Sequence, residues 1–415
     1  MGFYENEEQI QSALLVSVDT GDYDAQSSLL ELAELTKSAG AEPVSTMTQK
    51  REKINKATCV GSGRLLEIAE FCKANEIDLI IFDRELSPSQ IRNIEEKVEA
   101  RVIDRTMLIL DIFAQRAKSK EGKLQVELAQ LQYMLPRLTG KGIELSRLGG
   151  GIGTRGPGES KLETDRRHIR RKMENIREQL ADVDKHREQI LKRREKDGVI
   201  SVAIVGYTNA GKSTLMNYLT DAGVLAQDKL FATLDLTSRA LKLPSGVTVM
   251  LTDTVGLVRR LPHHLVKAFK STLAETANAD IILNICDASS DEAQLHLEVT
   301  KELLESLGAK DSPIIPVLNK CDLVTGIDEI TMIGSAIRIS AKSGKGIDEL
   351  LEVIDENLPV KVKRVTLLIP FTDTGKVAQI RKYGTLLSEE FTENGTKIEA
   401  IIEVDLMHKV EDYII

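Results

Sequence analysis

Val202-Ala-Ile-Val-Gly206-Tyr-Thr-Asn-Ala-Gly211-Lys212-Ser213-Thr214-Leu-Met-Asn217 is the stretch on which the reading of this chain turns. An apolar strand runs into Gly-x-x-x-x-Gly-Lys-Ser and then into a helical pattern. Two glycines allow the backbone N–H groups of Gly206, Tyr207, Thr208, Asn209, Ala210 and Gly211 to wrap a polyphosphate. The helix that follows presents its N-terminus to the negative charge. Lys212 is expected to reach the β- and γ-phosphates and Ser213 to ligate Mg²⁺, while Thr214 lies with them among the nucleotide-binding residues. Eight residues of this kind can arise by chance, but the strand–loop–helix setting argues for a phosphate-binding loop.

Three further elements lie downstream, each at the end of an apolar run. Val247-Thr-Val-Met-Leu-Thr-Asp253 leads into Thr254, Val255 and Gly256. The carboxylate of Asp253 suits a Mg²⁺ partner, and the Gly256 N–H can approach a γ-phosphate. Pro313-Ile-Ile-Pro-Val-Leu-Asn319 leads into Lys320, Cys321 and Asp322. A carboxylate at Asp322 can accept from both N1–H and the 2-amino group of guanine. Adenine lacks that donor pair and would leave the acid unsatisfied. Asn319 would hold the base edge or the loop, and the Lys320 stem would cover the ring face. Finally, Ile339 leads into Ser340, Ala341 and Lys342, where a backbone N–H would meet guanine O6. Four elements in this order at strand carboxyl ends form one crevice of a doubly wound sheet.

A threonine that closes on Mg²⁺ and the γ-phosphate is also expected. Between the first two elements, Phe231, Ala232, Thr233, Leu234 and Asp235 supply a candidate in Thr233, preferred over Thr237. Lys212, Thr233 and Gly256 are then the catalytic set. Many GTPases carry a water-orienting Gln directly after Asp-x-x-Gly. Here that position is Leu257, which cannot hydrogen-bond, so intrinsic hydrolysis should be slow unless another group positions the water. His263 and His264 read as surface residues. Some GTPases without the Gln use an Asn in the phosphate loop to ligate K⁺, which makes K⁺ a candidate cofactor through Asn209.

The 415 residues exceed one ordinary core, and about three domains are expected at ~150 residues each. Residues 1–112 alternate apolar strands, such as Ala13–Val18 and Leu79–Phe82, with amphipathic helices, among them Ser27–Ala39 and one opened by Ser87-Pro88. That predicts a small α/β domain around a mostly parallel sheet. Residues 113–197 carry heptad-like stripes, Leu124, Leu128, Leu131 and Leu135, then Leu162, Ile169, Met173, Ile176, Leu180, Val183 and Ile190. They predict a helical, coiled-coil-like hairpin with a Gly/Arg-rich loop at its tip. Residues 198–358 hold the phosphate-loop domain. Residues 359–415, with alternating Val365–Ile369 and Ile398–Val404 around Asn394-Gly395, predict a small α+β domain.

Composition narrows the partners. The net charge is −9, so nucleic acid could be bound only through a local patch, and no DNA partner is indicated. No apolar run approaches a membrane span, and the acidic start lacks a signal-peptide stretch, which predicts a cytoplasmic protein. Cys59, Cys72, Cys286 and Cys321 have no metal-ligand spacing. A monomer is the simplest expectation, with oligomeric state left open. Gly61-Ser-Gly63 reads as a turn rather than a phosphate cradle. Gly149-Gly-Gly-Ile-Gly-Thr-Arg-Gly156 is no dinucleotide fingerprint, because no strand precedes it.

The hairpin brings in a resemblance. Leu124 to Leu138, then Leu145-Ser-Arg147-Leu-Gly-Gly-Gly-Ile-Gly-Thr-Arg155-Gly-Pro-Gly-Glu159 and Asp165-Arg166-Arg167-His-Ile-Arg170, resemble the HflX family of translation-associated GTPases. Phe231–Asp235 resembles the first switch of that family, and Asp253–Gly256 with Leu261-Pro-His-His-Leu265 its second. Leu86–Asn93 and Val102-Ile-Asp-Arg-Thr106 fit as well, so the resemblance spans nearly the whole chain. Leu236 stands where Pro is usual, Leu257 where Phe is usual, and Ser160-Lys161 where Thr-Gln is common. The resemblance implies GTP binding and hydrolysis, attachment to the large ribosomal subunit and its RNA, and splitting or rescue of stalled or idle ribosomes under stress. It also implies that ATP can be bound. Arg147, Arg155, Arg166 and Arg167 are the candidate RNA contacts, since Arg and small residues suit a phosphate backbone. A regulatory GTPase docking a protein partner on the heptad stripes is the alternative. An ATP-driven RNA remodeller is a weaker one, because the N-terminal segment shows no phosphate loop of its own.

Overall fold

The computed structural model describes residues 10–139, 157–196, 199–220, 237–254, 256–258, 276–290, 292–309, 312–324, 336–359, 362–403, 407 and 409–415. Two compact units emerge. One is assigned Met1–Glu188, Gln227–Asp235 and Gly256–Ser271, the other Gln189–Ala226, Leu236–Val255 and Thr272–Ile415.

The first unit opens with β1 (Ser12–Asp19), β2 (Glu42–Lys50), β3 (Leu79–Phe82) and β4 (Arg101–Asp104) in the order β2-β1-β3-β4. All pairings are parallel. Ala13, Leu14, Leu15, Val16 and Val18 are all buried, broken only by the equally buried Ser17, the near-continuous apolar run that a strand covered on both faces needs. The helix Ala25–Ser38 starts where the Asp24 side chain accepts from the Gln26 and Ser27 amides. The helix Pro88–Glu95 starts at a capping box of Ser87 and Gln90 with Pro in the first turn, so its start was written in the sequence. The edge strand β2 carried no such signal; its residues alternate between exposed and half-buried.

Two helices follow, Lys120–Met134 and Pro157–Lys196. Leu128, Met173 and Ile176 are buried together, with Leu124, Leu131, Leu135, Ile169 and Leu180 packed on them. The hairpin thus closes its apolar stripe on itself. Arg187 clamps Glu121 across it, at 2.7 Å to both carboxylate oxygens. The stripe stops short of the predicted end: Ile190 is 40% exposed.

The second unit holds a six-stranded sheet of β5 (Ser201–Gly206), β6 (Thr237–Lys242), β7 (Thr248–Asp253), β8 (Ile281–Asp287), β9 (Ile314–Asn319) and β10 (Ile337–Arg338). Its order is β10-β9-β8-β5-β7-β6, parallel except for the antiparallel edge strand β6. Val202, Ile204, Leu251, Ile281, Leu283, Ile285 and Val317 form its core with Leu350 and Ile354 of the helix Ile347–Glu356. Beyond it, β11 (Val362–Ile369), β12 (Gly384–Thr392) and β13 (Gly395–Glu403) make an antiparallel sheet in the order β11-β13-β12. The helix Thr374–Tyr383 packs Val377 and Ile380 into its core. Gly395 turns the β12–β13 hairpin at φ +146°, where a Cβ would stand 2.3 Å from the Ile369 carbonyl oxygen. Among the described residues, no helix is long and apolar enough to cross a membrane.

Candidate functional site

The strands β5, β7, β8 and β9 end at Gly206, Asp253, Asp287 and Asn319, and the turn after β10 carries Ser340. Parallel strands bring these carboxyl ends to one edge of the sheet, where open α/β sheets bind their ligands.

The loop between β5 and the helix Lys212–Thr220 is tightly constrained. Gly206 has φ +152°, and a Cβ there would sit 2.0 Å from the Ile285 carbonyl oxygen. The loop can therefore lie against β8 only with glycine at its head. Gly211 has φ +89°, and its Cβ would meet the Asn319 side chain at 2.2 Å. Between them Asn209 takes a left-handed conformation at φ 61° and is exposed. Lys212 is 6% exposed. Its ammonium donates to the Gly206 carbonyl at 3.0 Å and to the Tyr207 carbonyl at 2.7 Å. Burial pushes the Lys212 pKa down to about 8, with Asp253 acting in the opposite sense. A buried cation on the loop's own carbonyls is a ready partner for a polyphosphate.

Ser213 donates to Asp253 Oδ2 at 2.9 Å. Asp253 is 2% exposed, and Thr254 ties the end of β7 to β5 by donating to the Ile204 carbonyl at 2.7 Å. A hydroxyl and a carboxylate in contact are hard oxygen donors. They suit Mg²⁺, which takes few protein ligands and completes its shell with water and substrate phosphates. Among the described residues no cluster of three His, Cys, Asp or Glu could hold a metal by itself.

On the other side of the loop, Asn319 joins two elements. Its Nδ2 donates to the Ala210 carbonyl at 2.8 Å, and its Oδ1 accepts from the Ala341 amide at 2.9 Å. Of the two roles open to it in the sequence, it takes that of holding the loop. Cys321 is buried and donates its amide to the Ile339 carbonyl at 3.1 Å. This leaves Asp322 exposed at the site's rim. The Ser340 side chain, hydrogen-bonded to Asp322, holds its carboxyl below the usual range. Its own amide, Lys342 and Lys320 add to this, and desolvation opposes it. An ionised acid with its position fixed is what a guanine edge requires. Ser340 itself is wholly buried and accepts from the Ser343 amide at 3.2 Å.

Gly206 to Ser213, Asp253, Thr254, Asn319 to Asp322 and Ser340 to Lys342 thus lie in one unit. Gly256 groups with the other unit. Leu257, which follows it, is 4% exposed. Phe231, Ala232, Thr233, Leu234, Asp235, Val255, Arg147, Arg155, His263 and His264 lie outside the described residues. Arg166 is half-buried and Arg167 exposed on the helix Pro157–Lys196. Sequence reasoning missed Asp287: like Asp253 it ends an apolar strand, but its meeting with Lys320 is tertiary.

Phosphate loop, strand-end acid, Asn-Lys-Cys-Asp and Ser-Ala-Lys on one sheet edge define a GTP-binding protein of the phosphate-loop class. Residues 201–320 match the family described as 50S ribosome-binding GTPase. Residues 26–114 and 116–194 match the N-terminal and middle regions of GTP-binding GTPases. GTPase HflX of Caldanaerobacter subterraneus subsp. tengcongensis is 48% identical over 98% of this chain and 94% of its own. GTPase HflX of Lacrimispora saccharolytica is 48% identical over 97% and 96%. GTPase HflX of Escherichia coli is 44% identical over 87% and 86%. The chain belongs to the HflX family of GTPases, and it hydrolyses GTP. Among solved structures, a GTP-binding protein of Sulfolobus solfataricus in complex with GDP has a TM-score of 0.44 at 23% identity, over 84% of this chain and 98% of that one; so loose a likeness carries no argument.

Proposed function

We propose that this GTPase acts on the large ribosomal subunit, dissociating or rescuing stalled or idle ribosomes under stress, in the cytoplasm and as a monomer. The observation that carries the reading is a basic run, Arg166, Arg167, Arg170, Arg171 and Lys172, on the helix Pro157–Lys196. All but the half-buried Arg166 are exposed, in a chain whose net charge is −9. Such a strip is a local electrostatic footprint for RNA phosphates. The match of residues 201–320 to a 50S ribosome-binding family supports it. The protein-partner alternative needs an open heptad stripe, and Leu128, Met173 and Ile176 are already buried within the hairpin.

In the proposed mechanism Gly206–Thr214 cradle the triphosphate, and Lys212 neutralises its β- and γ-oxygens. Mg²⁺ would be held by Ser213, with Asp253 behind it and Thr233 closing from the first switch. Bound there, it would neutralise charge on the phosphates. Asp322 reads guanine, with Asn319 holding the loop against which the base lies. With GTP bound, the segments around Thr233 and after Gly256 are ordered and the hairpin with Arg147 and Arg155 engages ribosomal RNA. Hydrolysis releases them. Leu257 leaves the attacking water to be positioned by another group, so turnover in isolation is slow. Any ATP use falls to the N-terminal domain.

The test is co-sedimentation with ribosomal subunits in a non-hydrolysable GTP analogue, GDP or no nucleotide. Binding should be greatest with the analogue, should fall steeply with salt, and should weaken on charge reversal at Arg166 and Arg167. Equal pelleting in all three states would defeat the switch.

A further inference from the structure

Asp287 belongs to none of the four motifs, yet it ends β8 in the same crevice and pairs in register with Asn319 on β9. Its Oδ2 lies 2.8 Å from the Lys320 ammonium, and both side chains are only about a quarter exposed, at 23% and 24%. Its other oxygen, Oδ1, accepts from the Ser289 amide at 2.9 Å and the Ser289 hydroxyl at 2.6 Å. The amide of the next residue, Ala288, donates to the Asn319 carbonyl at 2.8 Å. The carboxylate is thus fixed from its own side before it meets Lys320. Lys320, for its part, sits in a left-handed turn at φ 63°, which limits the directions its stem can leave the backbone.

We propose that Asp287 is a positioning residue for the purine: by anchoring the Lys320 ammonium it sets the Lys320 stem against the ring face of the bound base. A lysine stem has four rotatable bonds, and holding it still costs entropy. An ion pair that fixes its far end before the base arrives removes part of that cost from binding. Asp287 also neutralises the Lys320 charge near the base, so that the stem acts through contact rather than through its ammonium. The contact is with the ring face, so it is common to guanine and hypoxanthine. It therefore adds affinity without the edge selectivity that Asp322 supplies. The inference rests on the guanine site proposed above.

The test measures dissociation constants for GTP, inosine triphosphate and inorganic tripolyphosphate in the full chain, for Asp287→Asn, Lys320→Met and the double variant. Asp287→Asn should weaken GTP and inosine triphosphate equally, by about fivefold, the scale of coupling between residues in contact. Tripolyphosphate, which meets only the loop, should be unaffected. In the Lys320→Met background the same change should have no further effect, because Met keeps the stem and lacks the charge. Equal loss on tripolyphosphate, additive losses in the double variant, or unchanged nucleotide affinity would each overturn the proposal. Melting temperature of each variant separates misfolding from the effect sought. Asp322→Ala in parallel tests the underlying site: if it lost guanine preference while Asp287→Asn did nothing, the site would stand and only the role of Asp287 would fall.

Discussion

Asn319 donates to the carbonyl of Ala210 over 2.8 Å and so fastens the phosphate loop to the strand that carries the base-reading motif. The same side chain accepts from the Ala341 amide. One 2%-exposed amide therefore joins three motifs that lie far apart in sequence. Replacement by Ala leaves a buried carbonyl and a buried N–H unpaired, each costing ~1–3 kcal/mol. Asn319→Ala should lower the melting temperature by several degrees and weaken GDP and GTP alike. A variant with native melting behaviour and native affinity would show that the clamp is incidental.

Lys212 yields a pH dependence. Its pKa stands at about 8 because of burial, below the unfolded value. The ammonium binds the triphosphate, so GTP affinity is full only well below pH 8. As pH rises through 8 the free protein loses the proton that binding needs, and affinity should fall by about tenfold per pH unit. Stability of the nucleotide-free protein runs the other way. Between the folded pKa and the ordinary lysine value the unfolded chain holds more protons, so this residue's contribution rises with pH. Lys212→Met should flatten both trends, as read by nucleotide titration and by denaturant unfolding at pH 7 to 10.

Removal of the metal tests the Ser213–Asp253 pair. In nucleotide titrations, chelation of Mg²⁺ should weaken GTP binding by the intact protein. Asp253→Asn or Ser213→Ala should cost about 10–100-fold in Mg²⁺ affinity of the nucleotide complex. Variants with unaltered Mg²⁺ dependence would place the metal elsewhere.

Asn209 stands exposed in a left-handed turn of the loop, and we propose that it ligates K⁺. Hydrolysis should then be several-fold faster in KCl than in NaCl, and Asn209→Ala should erase the difference. Equal rates in the two salts for the unaltered protein would remove K⁺ from the mechanism.

Much of the site could be read in sequence because its residues sit beside punctuation. Gly206 and Gly211 occupy positive-φ positions that a side chain would block, and Asp253 and Asn319 end apolar runs that only buried parallel strands need. The start of the helix at Pro88 was equally plain from Ser87 and Gln90. What could not be read is tertiary. The sequence left Asn319 two roles, and only the approach of Ala210 and Ala341 decides between them. Asp287 finds Lys320 across a β8–β9 pairing that no local pattern announces. The edge strand β2 has neither an apolar face nor a cap, so its pairing with β1 supplies its identity. Ile190 kept the heptad spacing, yet it follows Arg187, which already meets Glu121 at the start of the helix Lys120–Met134.

Calorimetric titration with GTP and ATP in the presence of Mg²⁺, for the unaltered chain and for Asp322→Ala, tests the guanine site most directly. The account predicts tight GTP binding and much weaker ATP binding at this site by the unaltered chain, with the preference lost in the variant. A variant that still favoured GTP as strongly as its parent would contradict it.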